Sequence, residues 1–293
     1  MLWQRLLSKD TPVSLGIISI PDVRVSPIIA SRWGQTTVNG KNVYNYYTPN
    51  NYPCGCSATA LSQPLRFYQF PTTSITPITR ECTVNGNKQN LTTMGGSYNW
   101  NNMPLTPNSQ TTLAERQNIG KLTYDTSVLL QMSFTATGSG SYINLAHDAL
   151  ANEFAYTSTC VYTDHQNGIN DTLRQRAILP NLDAGAPVIL GIVGNGGHAI
   201  LADGYGFSDS TLYVHLNMGW EGSADAWYNL PNIDDPYFGF NSVVDVIYNI
   251  SPNSSGELLS GRITSTTGLP LAGVTVSATK SQQTWSATTT ANG

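Results

Sequence analysis

Charge is what this sequence has least of: Asp, Glu, Lys and Arg make up 11% of its 293 residues, against roughly 25% in an average soluble protein. Fourteen Lys and Arg against eighteen Asp and Glu leave a formal charge of -4. No basic run exists to neutralise a phosphate backbone or an anionic leaflet, so neither nucleic acid nor a membrane surface is expected as a partner. Cysteine is almost as scarce. The four, at positions 54, 56, 82 and 160, are too few for a disulfide scaffold and form no Cys-x-x-Cys pair, so no structural metal is expected. Long apolar runs are missing too: the longest, Pro187 to Gly194, is strand-sized, whereas a membrane helix needs about 18 residues. The first residues, MLWQRLLSKDTPVSLGIISIP, lack an unbroken apolar stretch followed by a small-residue cleavage site, so no signal peptide is read in this chain. What the sequence does have is a 40% hydrophobic fraction and a polar surface of Asn, Ser, Thr, Gly and Tyr. That is enough for one large domain with a small appendage, or for two modest ones.

Texture changes along the chain. Residues 1–25 carry few periodic signals and read as a leader or the remnant of a proregion. From Cys56 to Tyr68 small and apolar residues predict a helix that stops before Pro71. Pro64 inside it removes a backbone donor and clashes one turn back, which predicts a kink or register change near residue 60. Shorter helical patterns cover about 110–123, 143–155 and 171–178. After Pro187 the segments 187–194, 199–202, 212–216, 226–230 and 243–250 are β-branched or aromatic and separated by Gly, Asn and Asp, as consecutive antiparallel strands are. Helices followed by a sheet make residues 26–250 an α+β domain. Ser251 to Ser255 reads as a linker. Residues 256–293 alternate apolar and polar positions between Gly-containing turns, as β-strands do.

Chemistry concentrates in three places. His198 follows Gly196 and Gly197 and opens the run His-Ala-Ile-Leu-Ala-Asp203-Gly, where glycines let other groups approach the backbone; the plain alternative is a histidine satisfied at a strand end. Asn217 closes Tyr213-Val-His-Leu-Asn217 before Met218 and Gly219, and is either functional or a turn former. Cys56 stands at a predicted helix start, where unpaired N–H groups and the helix dipole favour a thiolate, although buried cysteines are usually inert. The order Cys, His, Asn is that of papain-like proteases.

The sequence resembles the streptopain family of bacterial papain-like cysteine peptidases over most of residues 26–250. The carriers are Trp33-Gly-Gln35; Gly55-Cys56-Ser-Ala-Thr-Ala-Leu-Ser-Gln63 with Tyr68-Gln-Phe-Pro71; Tyr98-Asn-Trp100; Gly197-His198-Ala with Asp203-Gly204; and His215-Leu-Asn217-Met-Gly219-Trp220. The resemblance implies a papain-like fold and a cysteine endopeptidase without cofactor. Cys56 would be the nucleophile, held as thiolate beside protonated His198, and Asn217 would hydrogen-bond the second imidazole nitrogen. Gln35, with the Cys56 N–H, would form the oxyanion hole. Gly197 and the Gly/Ser loop containing Ser139, Gly140 and Ser141 would border the substrate. The resemblance further implies protein or peptide substrates with an apolar residue two positions before the cut. An inhibitory propeptide and a secreted or cell-surface location also follow from it. Residues 256–293 resemble the truncated start of a carboxypeptidase regulatory-like β-sandwich.

Two departures stand out: Met218 occupies the place of a family Trp thought to shield the Asn–His bond, and Pro64 that of an ordinary helix former. Cys54 is an alternative nucleophile, and Cys82 and Cys160 are core residues or a bridge. His147 is read as a helix-face residue, His165 as a loop residue, and His215 receives no chemistry. A catalytically silent papain-like domain serving binding or adhesion is the rival reading, and acyl transfer to an amine would use the same residues as hydrolysis.

Overall fold

The structure is a computed structural model and describes residues 16–163, 167–233, 239–252 and 259–293; His165 lies outside them. It divides into two units, residues 1–257 and 258–293. In chain order the elements are β1 (Asp22–Val25), β2 (Thr37–Val38), β3 (Lys41–Asn42), α1 (Cys56–Tyr68), β4 (Thr79–Val84), β5 (Asn87–Thr92), α2 (Leu113–Leu129), β6 (Ser133–Phe134), α3 (Leu145–Asn152), β7 (Tyr156–Tyr162), α4 (Asp171–Asp183), β8 (Val188–Val193), β9 (Gly197–Ser208), β10 (Thr211–Asn217), β11 (Ala226–Tyr228), β12 (Ser242–Pro252), β13 (Thr275–Lys280) and β14 (Gln283–Thr288).

The first unit is built on a sheet ordered β11-β10-β9-β8-β12-β7, with β1 added on β9. Every pairing in it is antiparallel. Strand periodicity explains how it is covered on both faces. Ile189, Ala199, Leu201 and Ile247 belong to one core with Leu61, Leu65 and Leu122 of α1 and α2. The alternate residues Val188, Leu190, Ile192, Ile200 and Ala202 belong to a second core with Ile178 and Leu182 of α4. The expected α+β organisation is thus present.

Two segments bear on readings of the sequence. Of the kink or register change expected near residue 60, no register change occurs: α1 is one continuous helix through Pro64, and Leu61 and Leu65 on either side of the proline are fully buried. Burying two leucines, roughly 1.5–3 kcal/mol each, offsets a missing backbone bond. Within residues 1–25, read as a leader or the remnant of a proregion, the described part joins the sheet. Asp22, Val23 and Val25 pair with Phe207, Gly206 and Tyr205 of β9, and Ile17 bridges Trp227 of β11.

The second unit pairs β13 with β14 from Thr275↔Thr288 to Lys280↔Gln283. A bridge between Thr264 and Pro270 and the bond from Ile263 N–H to the Gly293 carbonyl complete it. None of its described residues is buried.

Candidate active site

Cys56 is the first residue of α1, and its position follows from the turn before it. Gly55 has φ +92°, and a Cβ there would meet Met132 Sδ at 2.6 Å and the Ser139 carbonyl at 3.0 Å. Only glycine fits such a backbone in so little space. The segment entering this turn is fixed by two bonds, from Cys54 N–H to the Gln35 carbonyl (2.9 Å) and from Ser127 Oγ to the Cys54 carbonyl (2.9 Å). Thr59 Oγ1 donates to the Gly34 carbonyl (2.8 Å). The Trp33-Gly34-Gln35 segment is thereby held against the first turn of α1.

The two neighbouring thiols are not equivalent. Cys54 is fully buried, and burial pushes its pKa up to about 12. Cys56 is 8% exposed and opens on a cleft of about 420 Å³. Burial raises its pKa as well, opposed by the Ala199 N–H and by Ser57. Cys82 and Cys160 are free thiols, not a bridge.

His198, the second residue of β9, lines the same cleft. Its ring stacks on Trp220 (centroids 4.7 Å, planes 26° apart) and Phe240 (5.9 Å, 22°). Burial pushes its pKa down to about 4, only partly countered by the Met218 carbonyl. Nε2 lies 2.8 Å from that carbonyl, which can only accept, so Nε2 carries the proton and Nδ1 is the basic nitrogen. Desolvation at both groups works against the thiolate–imidazolium pair that the family resemblance implies, pushing the thiol up and the imidazole down.

Asn217 also departs from expectation. Its Nδ2 donates to the Ser31 carbonyl (2.8 Å), and its Oδ1 accepts from Gln63 Nε2 (3.0 Å) and from Gly219 N–H (3.1 Å). The Gly219 N–H and the Met218 carbonyl belong to one peptide group. Asn217 therefore acts on His198 through that peptide, its side chain holding one end while the imidazole binds the other. Gln63, whose Oε1 accepts from Ser31 Oγ (2.8 Å), ties this arrangement back to α1. Met218 is buried, and its N–H donates to Asp225 Oδ1 (2.8 Å). The ring cover expected from a Trp at 218 comes from Trp220 and Phe240. Phe240, Ser31 and Asp225 were missed from sequence. Gln63 lay within a motif, but nothing in its residue type announced a bond to Asn217.

The Gly/Ser loop forms the facing wall. Ser139, Gly140, Ser141 and Gly197 all line the cleft. Gly140 exchanges backbone bonds with Ser133 (2.9 and 3.1 Å), and Ser57 Oγ donates to the Ser141 carbonyl (3.2 Å). Gln35 is buried beside the turn and is not among the cleft-lining residues. His215 is engaged elsewhere, its Nδ1 2.6 Å from Asp203 Oδ1. His147, on α3, bonds Ser158. Among the described residues no three His, Cys, Asp or Glu side chains gather as a metal-binding group, and no helix is long and apolar enough to cross a membrane.

Several known proteins resemble this chain. Streptopain of Streptococcus pyogenes is 24% identical over 245 residues, covering 73% of this chain and 60% of the relative; the chain thus spans about three fifths of that protein's length. The thiol protease/hemagglutinin PrtT of Porphyromonas gingivalis is 28% identical over 211 residues, 69% of this chain and 24% of its own. Among solved structures, active wild-type interpain A cysteine protease of Prevotella intermedia superposes with a TM-score of 0.63 at 22% identity, covering 78% of this chain and 95% of that one. A prointerpain A fragment from the same organism gives 0.59 at 21% identity, covering 85% and 79%. These two structures share the fold. Residues 33–228 match the peptidase C10 family, and the chain belongs to that family.

Proposed function

We propose that the protein is a cysteine endopeptidase in which Cys56 is the nucleophile and His198 the general base and acid. The observation that carries this reading is the cleft itself. Of two thiols two positions apart, the one at the head of a 13-residue helix opens on it together with the imidazole, and the other is sealed away.

As the Cys56 sulfur bonds to the scissile carbonyl carbon, its proton passes to Nδ1 of the neutral His198. The carbonyl oxygen becomes an oxyanion, for which Gln35 and the Cys56 N–H are the proposed donors; losing one such donor typically costs about 10²- to 10³-fold in kcat. Collapse breaks the C–N bond, His198 returns its proton to the departing amine, and a thioester remains. Water, deprotonated by His198, then releases the acid and restores the thiol. The Met218 carbonyl supports the imidazolium formed midway, and the Trp220 and Phe240 rings keep the imidazole plane fixed. Gly197, Ser139, Gly140 and Ser141 border the peptide. Protein or peptide substrates, an inhibitory propeptide and a secreted or cell-surface location complete the proposal. The bacterial relatives and the pro-form among the solved structures support them.

The rival reading, a silent domain used for binding, draws on the raised Cys56 pKa. Incubation with an epoxysuccinyl cysteine-protease inhibitor followed by peptide mapping separates the two. Adduct on Cys56, greatly slowed by His198→Ala, is expected. Adduct on Cys54, or none in the folded protein, would falsify the assignment.

A further inference from the structure

One wall of the cleft has a chemistry that bond cleavage does not use. It is a row across the sheet: Ala199 on β9 stands opposite Gly191 on β8, and Gly191 stands opposite Asp245 on β12. Residues paired across antiparallel strands present their side chains on one face, here the face that packs against α1 and Ile143. Gly191 leaves its place open, and the Asp245 carboxylate occupies it. A Cβ on Gly191 would meet Asp245 Oδ2 at 2.5 Å and Ile143 Cγ2 at 2.9 Å. With strands about 4.8 Å apart, Asp245 lies about 10 Å from Ala199, whose backbone N–H acts on the Cys56 thiol. That distance equals about three residues of extended peptide at about 3.3 Å each.

Among the described residues lining the cleft, Asp245 is the only Asp, Glu, Lys or Arg. The rest are mainly glycines, hydroxyl residues and aliphatics. A concave, mostly apolar trough with one convergent charged group is how binding sites set orientation and selectivity. The carboxylate also acts on β7: burial, then Asp245 and Asp148, hold the Cys160 thiol up at about 11.

We propose that this wall is a subsite for a cationic side chain, so that the protein selects peptides carrying Lys or Arg within about three positions of the scissile bond. The alkyl stem would lie along Ile143 while the charged head meets the Asp245 carboxylate, a division of labour that long basic side chains suit. The preference departs from the apolar one implied by the family resemblance. Its consequence for cleavage rests on the peptidase reading above, whereas the binding itself does not.

The test uses Cys56→Ala protein, which reads the subsite without turnover. Hexapeptides carrying Lys or norleucine, which has the aliphatic stem without the ammonium, at each position in turn are titrated by calorimetry at low and high salt. At one position Lys is expected to bind about tenfold more tightly, with the advantage shrinking as salt rises. Adding Asp245→Asn should remove it, and Asp245→Lys should turn it toward Glu. Equal binding of the two peptides at every position, or a Lys advantage that survives Asp245→Asn, overturns the inference. Digestion of a peptide library by the unaltered protein distinguishes the two proposals. Cuts without Lys or Arg enriched at a fixed position sink the subsite and leave the peptidase standing. Lys-selective binding without any cut does the reverse.

Discussion

The ring of His198 lies between Trp220 and Phe240 and gives its Nε2 proton to a backbone carbonyl, so two consequences can be measured at single residues. The first concerns pH. His198, depressed to about 4, stays neutral from that pH upward, and Cys56, raised above its usual value of 9, stays a thiol through the neutral range. Thiolate therefore grows about tenfold per pH unit below the thiol pKa. Alkylation of Cys56 by iodoacetamide should climb steadily from pH 5 to 9, and a flat plateau across the acidic range would instead reveal a preformed ion pair. The second concerns Asn217. Asn217→Ala leaves the Gln63 amide, the Gly219 N–H and the Ser31 carbonyl buried without their partner, at about 1–3 kcal/mol each. It also frees the peptide that positions the imidazole, and loss of such a support typically costs about 10- to 100-fold. Turnover should fall by that factor in kcat with KM little changed, and the chain should unfold at lower denaturant. A variant that melts lower yet keeps kcat would show that Asn217 is structural only.

At the scale of elements, α1 is set by its entry turn. Gly55→Ala places a methyl group 2.6 Å from Met132 Sδ on a backbone at φ +92°, strain of about 1–3 kcal/mol. Relief requires the head of the helix to move, and Cys56 with it. The expected outcome is a larger loss in epoxysuccinyl labelling rate than the stability loss alone explains, measured under conditions where the variant is fully folded. The elements α1 and β8 to β12 were visible in the sequence, because apolar periodicity and breakers mark them. The hairpin β4–β5 was not read, since β5 is almost wholly exposed and offers no apolar stripe. Its one signal was Asn85-Gly86 between the two strands. In the site, the order Cys56, His198, Asn217 was legible because side-chain chemistry is written in residue type. The acceptor on His198 was not, because any residue supplies a carbonyl and only the turn through Gly219 aims this one. Phe240 lies 42 positions after His198 in a Gly-Phe-Asn segment that resembles a loop, and only the pairing of β12 with β8 carries it back to the ring.

For the whole molecule, the sheet decides where the folded unit begins. Asp22 to Val25 complete the edge of β9 that β8 leaves unpaired beyond Ala202, and Ile20 is buried, 7% exposed. The chain immediately afterwards fixes Asp203, whose carbonyl accepts from Ile28 N–H (2.9 Å) and whose Oδ2 accepts from Ile29 N–H (3.2 Å). Asp203 in turn holds His215 on β10, two residues before Asn217. Removing residues 1–25 therefore strips a strand from β9, the Ile17–Trp227 bridge from β11 and one isoleucine from the core. Burial of the isoleucine alone contributes about 1.5–3 kcal/mol, and each lost backbone bond about 0.5–1.5 kcal/mol. In a domain of this size 1 kcal/mol corresponds to about 2–4 °C, so a chain starting at Ser26 should melt about 5–15 °C below one starting at Gly16, which keeps all of these contacts. Calorimetry on the two chains settles the matter: equal midpoints would mean that residues 16–25 contribute nothing to the sheet and that the folded unit starts at residue 26 after all.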